Sequence, residues 1–145
     1  MAGLLELERL CSVLPDQIEF AVNEVTKATV QTMANDLIDH TPVDTTEHAS
    51  NWQVAINQRP MFGLPAIVPG SKGSTAPQSR QEAKQHCARA LADKLPGEMV
   101  DLANLGPVIE DLNNGTSTQE PAGMVPRGIR KGQMYAATAK LVIGK

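Results

Sequence analysis

The chain has 145 residues, of which 41% are hydrophobic and 20% charged, and its formal net charge is −3. These values are ordinary for one globular domain, so we treat residues 1–145 as a single domain. Two cysteines are too few for a disulfide framework, and no apolar run approaches the roughly 20 residues of a membrane span. No secretion signal is recognisable at the start, which predicts a protein made and used in a reducing cytosol or in a particle assembled there.

The charge is unevenly distributed. Residues 1–60 carry nine acidic and three basic residues, whereas residues 121–145 carry five basic residues and no acid. The basic C-terminal segment, residues 126–145, could be a solvated helix end, or it could bind nucleic acid or an acidic protein surface.

Residues 14–40 predict a long amphipathic helix, because apolar residues recur at steps of three and four from Ile18 to Leu37. Acidic residues cluster near its start, and Pro42 follows its end. Some 25 residues would span nearly 40 Å, which is long for this domain. Part of the apolar stripe is therefore expected to pack beyond the chain's own fold.

Alternation of Trp52, Val54 and Ile56 with smaller or polar residues predicts a half-buried strand over 51–57. Residues 58–78 are rich in proline and glycine and predict a long loop that projects from the body.

The sequence Ser79-Arg80-Gln81-Glu82 fits a capping box, which predicts a helix that starts there and buries Ala83, Cys87, Ala90 and Leu91. Residues 99–103 predict a second strand. Residues 107–112 fit either a strand or one helical turn, and 113–115 a turn. The segment from about Val125 is weakly helical and interrupted by Gly128 and Gly132.

This order of elements predicts an α+β fold, with a long N-terminal helix packed on a small, mostly antiparallel sheet and one or two further helices. No internal repeat is present.

The residues that could perform chemistry are poorly arranged for it. His40, His48, His86 and Cys87 lack zinc-site spacing, so neither a metal nor a cofactor is expected. Asp36, Asp39 and Asp44 are interpreted as solvated helix-end acids. Four aromatic residues supply no stacking platform for single-stranded nucleic acid, and no predicted helix has a basic stripe. The sequence therefore predicts a protein that is not an enzyme and has no catalytic residues.

Two polar stretches are not explained by packing alone. The first is T-P-V-D-T at residues 41–45, followed by N-W-Q-V at 51–54. The second runs from Asn104 through G-P-V-I-E-D-L-N-N-G-T-S to Q-E-P-A-G-M-V at 119–125. Pro42 and an Asp44 turn would fix the exit from the first helix, and the turn at 113–115 tolerates positive φ.

In their order and separation these blocks resemble the tail-completion or neck family of long-tailed bacteriophages, over roughly residues 14–135. Members of that family have a long first helix, a T-P-V-D-T-G turn leading into an N-W strand, and a late Q-x-P-x-G-M-V segment. The chain departs from the family at Thr46, where glycine is usual, and at Val108, where an aromatic residue is usual. Thr46 weakens any argument that this position needs a positive φ.

The resemblance implies a non-enzymatic virion protein that forms a ring, plausibly a hexamer, where head and tail meet. Its partners would be its own copies and the adjacent terminator and connector proteins, with DNA passing through without sequence-specific binding. The residues expected to set the fold and the interface are Pro42, Asp44, Thr45, Asn51, Trp52, Asn104, Pro107, Asn113, Gly115, Gln119, Pro121 and Gly123.

Alternatives remain open from the sequence. A tail terminator or head-side connector is the nearest, and a cytosolic hydrolase using Cys87 or the histidines belongs to another class. A third alternative is a DNA-binding accessory protein with a basic C-terminal arm.

Overall fold

The computed structural model describes residues 2–43, 46–120 and 122–144, and the ordered elements within them are five helices and two strands. The elements in chain order are α1 (Ala2–His40), α2 (Glu47–Ser50), β1 (Trp52–Ile56), α3 (Ala76–Ala92), β2 (Val100–Asn104), α4 (Ile109–Asn113) and α5 (Met124–Thr138). The predicted α+β fold, with a long first helix and a small antiparallel sheet, is confirmed.

Helix α1 begins about a dozen residues before the predicted start and runs for 39 residues, with Pro15 inside it. The acidic residues after Pro15 suggested a helix start there. However, residues 4–10 are leucines, glutamates and an arginine, which are strong helix formers. Pro15 removes one backbone hydrogen bond from the helix interior, and the helix continues on both sides of it.

The sheet consists of β1 and β2, paired antiparallel with Trp52 opposite Asn104 and Val54 opposite Leu102. Trp52 and Val54 are buried, as the alternating pattern predicted, and belong to a core cluster with Ile38 and Met124. The core therefore lies where the second half of α1, the sheet, α3 and the start of α5 meet.

Helix α3 buries Ala83, Cys87 and Leu91, which confirms the predicted face. The predicted capping box is wrong, because the helix begins at Ala76 and Ser79 lies fully buried in its first turn. Pro77 fixes the helical φ at the start, so the helix forms three residues earlier than the serine suggested. The Ser79 hydroxyl lies 3.4 Å from that of Ser50.

Helix α5 is continuous through Gly128 and Gly132, which were expected to interrupt it. Both glycines are buried against α1. A Cβ atom added at Gly128 would lie 2.7 Å from Leu37, and one at Gly132 would lie 2.3 Å from Met33. The glycines therefore allow the two helices to approach closely, and this contact outweighs their low helix propensity.

The loop expected over 58–78 has no regular structure until Ala76. At its tip the side chains of Met61 and Phe62 are 81% and 79% exposed, but the Phe62 carbonyl accepts a hydrogen bond from Gln53 Nε2 of β1 at 3.0 Å. The part after the tip is bonded back to the body, since the Leu64 and Ile67 amides donate to side chains of Asn51 and Ser50.

Candidate functional site

The site suggested by the sequence is a junction where several loops are held by side-chain amides. We call this set the polar junction; its central members are Asn51, Asn104, Asn113 and Gln119. Each side chain forms hydrogen bonds with backbone groups of another segment. The side-chain amide thus supplies to a loop the donors or acceptors that a neighbouring strand supplies within a sheet.

Asn51 lies at the entry to β1 and is only 1% exposed. Its Oδ1 accepts a hydrogen bond from the Leu64 amide at 2.7 Å, and its Nδ2 donates to the Leu64 carbonyl at 2.7 Å. Nδ2 also donates to the Glu47 carbonyl at 2.9 Å. One buried amide thus attaches the long loop to the short helix α2.

Gln119 makes the same kind of paired contact across 76 residues of sequence. The Val43 amide donates to Oε1 at 3.0 Å, and Nε2 donates to the Val43 carbonyl at 3.1 Å. Val43 belongs to the first polar stretch and Gln119 to the second. The structure therefore brings the two stretches into direct contact.

Asn104 and Asn113 fix the chain on either side of helix α4. The Asn104 Nδ2 donates to the His48 carbonyl at 2.8 Å, and its Oδ1 accepts from the Gly106 amide at 2.8 Å. Gly106 is required here, because an added Cβ would lie 2.7 Å from the His48 ring. The Asn113 Oδ1 accepts from the Val125 amide at 3.0 Å and so positions the start of α5.

Two glycines of the second stretch adopt the left-handed conformation. Gly115 has φ +89° and a Cβ there would lie 3.0 Å from the Ala122 amide, whereas Gly123 has φ +93° and caps α5. The positive φ expected of the 113–115 turn is thus found at its glycine.

Trp52 links the end of α1 to the sheet. Its indole Nε1 donates to the Thr41 hydroxyl at 2.7 Å, and that hydroxyl donates to the Leu37 carbonyl at 2.6 Å. Arg80 donates to the Thr41 carbonyl at 3.2 Å. The exit of the chain from α1 is fixed by these bonds.

Thr46 has φ +71°, so this position adopts a positive φ even with threonine in place of the usual glycine, contrary to what that replacement suggested. A β-branched residue is strained in this region. The Thr46 hydroxyl donates to the Val68 carbonyl at 2.8 Å, which favours the observed conformation and attaches the long loop at a second point.

The other residues predicted to set the fold and the interface contribute less to the polar junction. Pro42 is buried, and Pro107 is exposed in the turn before α4. Asp44, Thr45 and Pro121 lie outside the described residues, so the expected Asp44 turn has no structural outcome.

A buried carboxylate near the junction was missed by the sequence interpretation, which placed Asp36 in solvent. The Asp36 side chain is 6% exposed and lies 3.7 Å from Arg127 Nε and 3.8 Å from Lys131 Nζ. Arg127 also bonds to Glu120 at 2.5 Å. The signal was available, because Asp36 falls three residues after Met33 on the predicted apolar stripe. These pairs place two of the C-terminal basic residues against acids of the same chain.

The alternative nucleophile is poorly placed for catalysis. Cys87 is fully buried, and burial raises the pKa of its thiol to about 11. Its Sγ donates to the Trp52 carbonyl at 3.4 Å. A thiol in this environment stays protonated at neutral pH, whereas nucleophilic attack needs the thiolate.

Within the described ranges, no group of three or more His, Cys, Asp or Glu residues is arranged to hold a metal ion. No described helix combines the length and the apolar character needed to cross a membrane.

The fold and the junction together define a small α+β protein in which polar side chains fix the angles of loops. Comparison of the chain with protein-family models, with curated proteins and with solved structures gave no match.

Proposed function

We propose that the chain is a non-enzymatic structural protein of a tailed bacteriophage. In this proposal copies of the chain form a ring at the head–tail junction, which joins the tail to the connector and lets DNA pass. The observation that carries the proposal is the paired hydrogen bond between Gln119 and Val43, because it joins the two sequence stretches on which the family resemblance depends.

The physical properties of the polar junction support this role. Asn51, Asn104 and Gln119 hold loop backbones at fixed positions through paired or bridging bonds. A subunit of a closed ring needs such rigid contacts, because the angle between neighbouring copies decides whether the ring closes. An acidic protein lining a DNA conduit would offer phosphates few counter-charges and would let DNA slide.

The test is made on the phage whose genome carries the gene. Particles assembled without the gene are expected to accumulate as filled heads and separate tails, visible by electron microscopy. In complete particles, a gold-labelled antibody against the chain is expected at the head–tail junction. Infectious particles that lack the chain, or label that is absent from particles, would contradict the proposal. The position of the label along the axis distinguishes the neck from the terminator and the head-side connector.

A further inference from the structure

The first part of α1, residues 3–16, makes a long exposed arm, which we call the N-terminal arm. Every residue in it is exposed except Val13, which is half-buried. Its leucines are 41–68% exposed; they are Leu4, Leu5, Leu7, Leu10 and Leu14. At 1.5 Å per residue the arm extends about 21 Å. So many exposed leucines on one helix are typical of a surface that is covered by a partner.

The apolar residues of the arm follow a regular spacing. Leu4, Leu7, Cys11, Leu14 and Ile18 recur at alternating steps of three and four, which places them on one side of the helix. This is the pattern of a helix that packs lengthwise against an elongated apolar surface, and not that of a helix solvated on all sides.

A second surface is also apolar, but the charged residues on it are basic instead of acidic. It consists of the outer side of α5 and the extended tail that follows it, and we call it the C-terminal face. Its exposed apolar residues are Ile129, Met134, Leu141, Val142 and Ile143. The exposed Arg130 and Lys140 lie among them, and residues 122–144 contain no acidic residue.

The charges of the two surfaces are opposite. The arm carries Glu6, Glu8 and Asp16 against a single base, Arg9. The Arg9 guanidinium bonds to Glu6 at 2.8 Å within the arm, so this base is already engaged. Two arms would bring like charges together, whereas the arm and the C-terminal face would bring opposite charges together.

Only Asp16, the last residue of the arm, reaches the C-terminal face of its own chain, where it lines one cleft with Lys140 and Val142. Helix α5 packs along the second half of α1, with Gly128 at Leu37 and Gly132 at Met33. The tail continues in the same direction as far as a cleft of about 530 Å³, in which Gly144 and Asp16 are both lining residues. The arm extends beyond that point, so the complementary surface must come from another molecule.

We propose that the N-terminal arm of one copy packs on the C-terminal face of a second copy. Because the contact joins two different surfaces, it can repeat head to tail into a ring or a filament, whereas a reciprocal exchange of arms would close it as a dimer. The inference rests on the proposed function only for the closure of that repeat into a ring.

Cys11 is a specific labelling site for testing this contact, because it is exposed in the arm whereas Cys87 is buried. Full-length protein labelled at Cys11 with a maleimide–benzophenone photo-crosslinker is mixed with unlabelled protein enriched in ¹⁵N. After irradiation, mass spectrometry is expected to find cross-links from Cys11 to ¹⁵N peptides within residues 126–144. The variant Cys11→Ser is the control and is expected to give no cross-link.

The proposal is overturned if the cross-links join two arms or map to another surface. It is also overturned if light scattering finds only monomer up to about 1 mM, since such a contact would be weaker than about 4 kcal/mol. Labelling at the head–tail junction with arm-to-arm cross-links would reject this contact alone. The expected cross-links in a protein absent from phage particles would reject the proposed function alone.

Two sets of variants test the chemistry of the contact. Leu7→Gln with Leu14→Gln is expected to weaken association at least tenfold by light scattering. Met61→Gln with Phe62→Gln, which are even more exposed on the loop, is expected to leave association unchanged. Glu8→Lys is expected to weaken association several-fold at low salt, and adding Arg130→Glu is expected to restore most of it. Equal effects of both glutamine pairs, or no restoration, would contradict the pairing.

Discussion

The polar junction and the N-terminal arm differ in which side chains are bonded within the chain and which are exposed. In the junction, polar side chains bond to the backbone of other segments, and Asn51, at 1% exposure, makes three such bonds. In the arm, apolar side chains are exposed, as Leu7 is at 55% exposure. The hydrogen bonds of the junction are formed within one chain, whereas we propose that the arm is covered only in an assembly. Substitutions in the junction should therefore change folding, and substitutions in the arm should change association.

The largest loss in the free energy of unfolding is expected on substitution of Asn51. Asn51→Leu keeps a similar volume but leaves the partly buried Leu64 amide and carbonyl without their partners. The free energy of unfolding in urea is expected to fall by about 3 kcal/mol. Asn114→Ala, on an exposed side chain of the same type, is the control and is expected to stay within about 0.5 kcal/mol. Equal losses for the two variants would mean that the Asn51 bonds do not stabilise the junction.

The next largest loss in the free energy of unfolding is expected on substitution of Asp36, which connects α1 to α5. Asp36→Asn removes the charge that faces Arg127 and Lys131, and the partly buried Arg127 then retains only Glu120. A loss of about 2 kcal/mol is expected in urea unfolding. Asp39→Asn is the matched control, because Asp39 pairs with Lys84 at 2.6 Å but is 46% exposed. Exposed pairs contribute at most about 1 kcal/mol, so a larger loss at Asp39 would contradict this ranking.

Much of the fold could be predicted from the sequence because hydrophobic periodicity reports burial directly. The alternation at Trp52 and Val54 predicted β1, and the spacing of Ala83, Cys87 and Leu91 predicted the buried face of α3. The glycines of α5 were misinterpreted, since helix propensity counts the cost of glycine but not the approach of Leu37 and Met33 that it allows.

The junction could be predicted only in part. The sequence marked Asn51, Asn104, Asn113 and Gln119 as unexplained polar residues, but not their partners. The bond from Gln119 to Val43 spans 76 residues, and no local pattern encodes a contact with a backbone group so far away. For Asp36, the position on the apolar stripe of α1 signalled burial, but no local pattern identified its partner Arg127, which lies on another helix.

A smaller effect is expected at Gln119, whose side chain is exposed although its bonds are partly buried. Gln119→Ala removes both bonds to Val43, but water can reach part of the site and replace them. A loss of about 1 kcal/mol is expected, together with faster amide hydrogen exchange at Val43. Gln133→Ala on the exposed side of α5 should change neither quantity. Unchanged exchange at Val43 in Gln119→Ala would show that the two polar stretches are held together by other contacts.

The smallest effect on global stability is expected at Pro15, although its local effect is large. Pro15→Ala restores a backbone hydrogen bond inside α1, and proline costs a helix interior about 3 kcal/mol relative to alanine. Residues 3–14 are exposed except for Val13, which is half-buried, so this gain should stay within the arm and slow its amide exchange. The free energy of unfolding obtained from the urea midpoint should rise by no more than about 0.5 kcal/mol. Ala21→Gly, at a buried position where α1 has already joined the body, should instead lower the midpoint. If Pro15→Ala stabilised the whole protein as much as the arm, the arm would be part of the same cooperative unit as the junction, and the contrast between the two regions would fail.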